Sequence, residues 1–147
     1  MTPGRSLVRT IADLEETVTT IARYFATDTV FIIGSQSILL SWPEAPPVMR
    51  TSGEIDAYPA NAKLWEVARQ KEVPPPEASE EISALFGEGS QFHRNHGFYI
   101  DGVDENTARL PMDWKERANY RYARQLQRAG ALTCPKGRTH DGARRKT

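Results

Sequence analysis

The apolar run Val30-Phe31-Ile32-Ile33 stops abruptly at Gly34-Ser35. No polar residue interrupts it, which suits a strand covered on both faces. It is too short to be a helix of its own. A chain that carries such a segment has to bury it in the middle of its fold. The strand is expected from Thr29 to Ile33. Gly34 opens a backbone conformation barred to residues with a side chain. Ser35 is a good helix-capping residue type, so a short helix is expected from Gln36 to about Ser41. Pro43, Pro46 and Pro47 prevent that helix from continuing, and Val48 to Ser52 reads as extended.

Glu54 to Tyr58 follows as a second strand, stopped by Pro59. Side chains alternate along a strand. Glu54, Asp56 and Tyr58 therefore share one face, and Ile55 and Ala57 share the other. Magnesium prefers hard oxygen ligands and often takes one or two carboxylates together with substrate phosphates. Glu54 and Asp56 fit that preference. A Gly-Ser turn at the start of a helix is also a natural place for phosphate. Each feature has a plainer reading when taken alone: a serine-capped tight turn, and a solvated strand face.

The flanking segments supply cover for a sheet. Thr10 to Phe25 carries Ile11, Leu14, Val18, Ile21, Ala22 and Phe25 at helical spacing. Thr10 and Asp13 form a capping pair at its start. Asn61 is placed to cap a helix over Ala62 to Lys71, and Ser79 to start another through Phe86. Ser90 to Asn95 reads as a loop. Gly97 to Gly102 reads as a third strand, and Thr107 to Leu110 as a fourth. Leu110 to Trp114 reads as a turn into a short helix around Lys115 to Arg117. Asn119 to Ala131 favours a helix without a clear apolar face. Strands alternating with helices imply an α/β or α+β fold, with a mixed sheet and helices against it.

Composition excludes several classes. The chain has 147 residues, one domain's length, and its 19 Lys and Arg balance 19 Asp and Glu. There is no whole-chain charge to draw nucleic acid or membrane. The balance is uneven: Lys and Arg crowd the segment from Lys115 onward, while the front half is acidic. The single cysteine, Cys134, excludes an internal disulfide and a cysteine-built zinc site. It suits a reducing, cytoplasmic setting. No apolar run reaches the roughly 20 residues that span a bilayer, and the first residues lack the apolar core of a signal peptide.

Other residues carry chemistry more weakly. His93 and His96 have the spacing of a helical ligand pair, but no third ligand is evident. They read as loop or cap histidines. Trp42, Trp65 and Trp114 are residue types that stack bases, and more often pack cores. Arg50 precedes the acidic strand and is a candidate phosphate ligand. The polar, basic residues after Thr133 read as a disordered tail.

Gly34-Ser35, a helix and loop, and then Glu54-x-Asp56 followed by Ala57-Tyr58 resemble the polymerase-β-type nucleotidyltransferase superfamily. More narrowly, GSQSIL, SGEIDAYP, GEGSQFHRNHGFYIDGV and LPMDWKERA resemble a group of small bacterial members of that superfamily. The likeness runs from about Thr10 to Arg117. It implies a nucleotidyltransferase-like domain over residues 1–131, with residues 132–147 as the basic tail. It implies transfer of a nucleotidyl group from a nucleoside triphosphate to a protein or RNA acceptor. Gly34, Ser35 and Arg50 would meet the nucleotide, and Glu54 and Asp56 would hold Mg2+ or Mn2+. Asp101, the acid of the third strand, would complete the catalytic set.

The chain departs from the superfamily pattern in three ways. Glu54 stands where active members carry Asp. Gly-Ser-Gln-Ser lacks the following Arg-Gly of many minimal members. After about Tyr120 an Arg-rich stretch replaces the usual further strand and helices, which reads as a truncated or altered ending. These departures sustain an alternative: a catalytically inactive binding module on the same fold, of the kind found in toxin–antitoxin or phage-defence pairs. On that alternative a homodimer is expected to cover an exposed side of the sheet.

Overall fold

In the computed structural model, which describes residues 7–105 together with 112, 113 and 116, Thr10 opens the first helix, α1 (Ile11–Phe25). The capping pair forms as expected. The Thr10 hydroxyl accepts from the Asp13 N–H at 3.2 Å, and an Asp13 carboxylate oxygen accepts from the Thr10 N–H at 3.0 Å. Two backbone donors that a helix start leaves orphaned are thereby satisfied. Leu14, Val18, Ile21 and Phe25 form the buried stripe of α1. Each contributes roughly 1.5–3 kcal/mol by leaving water. Ala26 closes the helix in the left-handed conformation, at φ 56°.

Among the described residues the sheet has three strands in the order β1 (Val30–Ile33), β2 (Glu54–Pro59), β3 (Tyr99–Gly102). β1 and β2 run antiparallel, and β2 and β3 run parallel. The fold is thus a small mixed sheet with helices, an α+β fold. Val30, Phe31 and Ile32 are buried, as their uninterrupted apolar character requires. Ile55 pairs with Ile100, and both are fully buried. They join Leu14 and Ile21 of α1 and Ile82 of α4 (Ala78–Phe86) in one core. The alternate positions of β2 and β3 carry the acids.

Several local expectations change. The segment after Gly34 is a 3-10 helix, Ser35–Leu40, and Gly34 rather than Ser35 occupies its cap position, without a side-chain cap bond. Val48 to Ser52 is mostly not extended. Pro47 starts a four-residue helix, α2 (Pro47–Arg50), because its fixed φ suits a first helical position. Only Thr51 makes a bridge, with Val8. Asn61 stands at the start of α3 (Ala62–Ala68) but does not cap it. Its amide instead donates to the Phe25 carbonyl at 2.8 Å and ties α3 to the end of α1.

Helix α4 begins one residue before Ser79, and a Glu66 carboxylate oxygen on α3 accepts from the Ala78 N–H at 2.8 Å. A carboxylate from another helix does the work of the local cap. The expected loop at Ser90 to Asn95 is a helix, α5 (Gln91–His96). Ser90 caps it by accepting from the His93 N–H at 3.1 Å, and Gly97 ends it at φ 83°. Six residues are too few to show helical periodicity, so only the caps signal it. The expected strand at Thr107 to Leu110, the helix over 119–131 and the tail at 132–147 lie outside the described residues, as does the helix around Lys115 to Arg117 apart from residue 116.

Candidate metal centre

The parallel register of β2 and β3 sets Glu54 opposite Tyr99 and Asp56 opposite Asp101. Residues paired across a sheet share a face, so all four side chains stand on the same side. Glu54, Asp56 and Asp101 each offer a carboxylate oxygen, and those oxygens lie within 4.8 Å of one another. A magnesium ion bound at about 2.1 Å to each separates its ligand oxygens by about 3–4 Å.

Each outer carboxylate is held by a hydroxyl. Tyr99 Oη donates to Glu54 Oε1 at 3.0 Å. Ser83 Oγ on α4 donates to Asp101 Oδ1 at 3.3 Å and accepts from the Gly102 N–H at 3.0 Å. Asp56 lies between them and differs from both. Its Oδ1 is buried without a hydrogen-bond partner. Its Oδ2 faces Gly34, where an added Cβ would stand at 3.0 Å. A buried acceptor without a donor is costly, and a cation satisfies it.

The electrostatics agree with that geometry. Burial, a hydrogen bond to Glu54 and the charges of Glu54 and Asp101 push the Asp56 carboxyl up to about 7. Burial and the Glu54 charge raise Asp101 as well, against the Ser83 hydrogen bond. The bond to Glu54, aided by burial and the surrounding negative charge, pushes the Tyr99 phenol up to about 12. Crowded acids resist ionising together. The donor set is all hard oxygen, which fits Mg2+ or Mn2+ better than zinc.

No protein-family model, curated protein or solved structure matches this chain.

The structure brings four of the six residues singled out from the sequence to one place. Gly34 abuts Asp56, and Glu54, Asp56 and Asp101 converge. Ser35 adjoins them in sequence and is exposed; its hydroxyl accepts from Gln36 Nε2 at 3.3 Å. Arg50 is engaged elsewhere. Its Nε donates to the Ala45 carbonyl at 2.7 Å and its Nη1 to the Arg9 carbonyl at 3.1 Å. These bonds clasp two loops, and only its remaining donors are left for a phosphate.

The histidines separate. His93 Nδ1 accepts from the Gly89 N–H at 3.0 Å, while the His96 ring lies 4.2 Å from that of Phe92. Among the described residues, only the three acids form a group able to hold a metal. Trp65 is buried against Phe25, and Trp42 is half exposed. Trp114 lies outside the described residues.

Sequence reasoning did not find Tyr99 or Ser83. Tyr99 had a signal, since it precedes Asp101 by two positions and so shares its face. Ser83 had none, because its role depends on where α4 meets β3. Among the described residues, no helix is long and apolar enough to cross a membrane.

Proposed function

We propose that this protein is a metal-dependent nucleotidyltransferase that moves a nucleotidyl group from a nucleoside triphosphate to a hydroxyl on a protein or RNA acceptor. The observation that carries the reading is the meeting of Glu54, Asp56 and Asp101 beside the Gly34 turn. The resemblance of the Gly34-Ser35 and Glu54-x-Asp56 motifs to polymerase-β-type enzymes points the same way. Glu54 and Asp56 would hold Mg2+ or Mn2+, with Asp101 completing the set. The ion supplies charge neutralisation at the phosphates and polarises the reacting phosphoryl group.

The chain's own residues orient the reactants. The Gly34 turn lies against Asp56, and the exposed Ser35 hydroxyl beside it in the chain would donate to a phosphate. The acceptor oxygen attacks the α-phosphorus, the bond from that phosphorus to the bridging oxygen breaks, and pyrophosphate leaves. Asp101, held by Ser83, takes the acceptor's proton. The single cysteine suits work in the cytoplasm.

The test is incubation with each of the four labelled nucleoside triphosphates and Mg2+ or Mn2+, with Glu54→Ala and Asp56→Ala as controls. Label on the protein or on an acceptor in a lysate, lost in both variants, establishes transfer and names the donor. The replacement of Asp by Glu54 favours a second reading, a binding module without chemistry. That reading gives an ion-dependent rise in melting temperature and no transfer. Absence of both label and ion-dependent stabilisation overturns the enzyme and the metal centre together.

A further inference from the structure

Glu54 has one methylene more than Asp, and so one more rotatable bond between the strand and its carboxylate. Left to itself, such an arm samples many positions beside the shorter Asp56 and Asp101. The structure holds it in one. Tyr99 is the cross-strand partner of Glu54, and its hydroxyl donates to Glu54 Oε1 at 3.0 Å. A carboxylate oxygen of Glu54 lies within 4.8 Å of oxygens of the other two acids.

The Tyr99 ring is itself braced. The His93 ring lies 4.9 Å away, and His93 is fixed through its Nδ1 by the Gly89 N–H. On another side the ring passes Gly53, where an added Cβ would stand 3.8 Å from Tyr99 Cε1. Outer groups that hydrogen-bond a ligating carboxylate fix its direction and contribute substantially to metal affinity.

We propose that Tyr99 is the positioning residue that lets Glu54 serve as a metal ligand in a place where the shorter Asp needs no such support. The inference rests on the reading that Glu54, Asp56 and Asp101 bind a divalent cation. Tyr99 does not touch the ion; it acts through Glu54 Oε1.

The experiment is a cycle of Mn2+ dissociation constants, read by calorimetry or electron paramagnetic resonance. It compares the unaltered protein, Tyr99→Phe, Glu54→Asp and the double variant. Tyr99→Phe is expected to weaken Mn2+ about tenfold, the low end of the loss on removing an outer partner, at an unchanged metal-free melting temperature. In the Glu54→Asp background, whose carboxylate stops short of Tyr99, the same change is expected to matter less than about twofold.

Equal losses in the two backgrounds, or no loss in Tyr99→Phe, overturn the role of Tyr99. Where Glu54→Asp binds no ion, the loss in Tyr99→Phe at an unchanged metal-free melting temperature decides alone. Failure of the unaltered protein to bind Mn2+ overturns the metal reading itself, a result distinct from either.

Discussion

Gly34 and Asp56 meet across the β1–β2 pair so closely that a Cβ on residue 34 would stand 3.0 Å from Asp56 Oδ2. Gly34 also holds φ at +84° with ψ at −162°, a region almost reserved to glycine that costs other residues about 1–3 kcal/mol. Gly34→Ala therefore meets two obstacles, strain in its own backbone and contact with the central acid. The expected outcome is a stability loss of roughly 1–3 kcal/mol in urea unfolding. Asp56 is displaced as well, so Mn2+ affinity falls beyond what the stability loss explains. Unchanged affinity in a folded Gly34→Ala protein counts against a phosphate and metal site at this turn.

The Asp56 carboxyl, raised from 3.8 to about 7, makes two quantities depend on pH. The metal-free folded protein holds a proton there that the unfolded chain releases near pH 4. Its contribution to stability is full below about pH 4 and is lost as pH rises through about 7. Asp56→Asn removes that loss and is expected to raise the metal-free melting temperature at pH 8 by a few degrees. Metal binding needs the carboxylate, so Mn2+ affinity in the unaltered protein climbs with pH and levels off above about 7. Calorimetric titrations from pH 5 to 8.5 measure it. A flat profile removes Asp56 from the ligand set.

Gly102 ends β3 where helix α4 presses on it, and a Cβ there would stand 2.1 Å from the Ser79 carbonyl oxygen. Neither side of that contact is a flexible side chain. Gly102→Ala has to separate α4 from β3, at roughly 1–3 kcal/mol or more. The same separation pulls Ser83 away from Asp101 and the Gly102 N–H. Unfolding by urea is expected to show the largest loss among these three glycine and acid variants. A fully stable Gly102→Ala protein rejects this packing.

Much of the fold was legible because short-range chemistry decides it. Leu14, Val18, Ile21 and Phe25 recur at helical spacing and are buried together. Val30 to Ile32 are apolar without interruption and are buried in the sheet. Two errors fall where a partner from elsewhere takes over. Asn61 reads as a cap because its residue type favours one, yet the Phe25 carbonyl draws its amide away. Ala78 receives its cap from Glu66 of another helix. Ser90 to His96 is too short for periodicity, and the Ser90 cap and Gly97 stop outweigh its loop-like composition.

Of the candidate site, alternation along single strands places Glu54 with Asp56, and Tyr99 with Asp101, each pair on one face. That much is determined by the chain alone, because neighbouring side chains on a strand point in opposite directions whatever surrounds them. The parallel pairing of β2 with β3 and its register belong to the tertiary structure. A shift of one residue would send Asp101 to the other face, and burial of Ile55 against Ile100 prevents it. Only that long-range packing sets Asp101 beside Asp56, Tyr99 beside Glu54 and Ser83 behind Asp101.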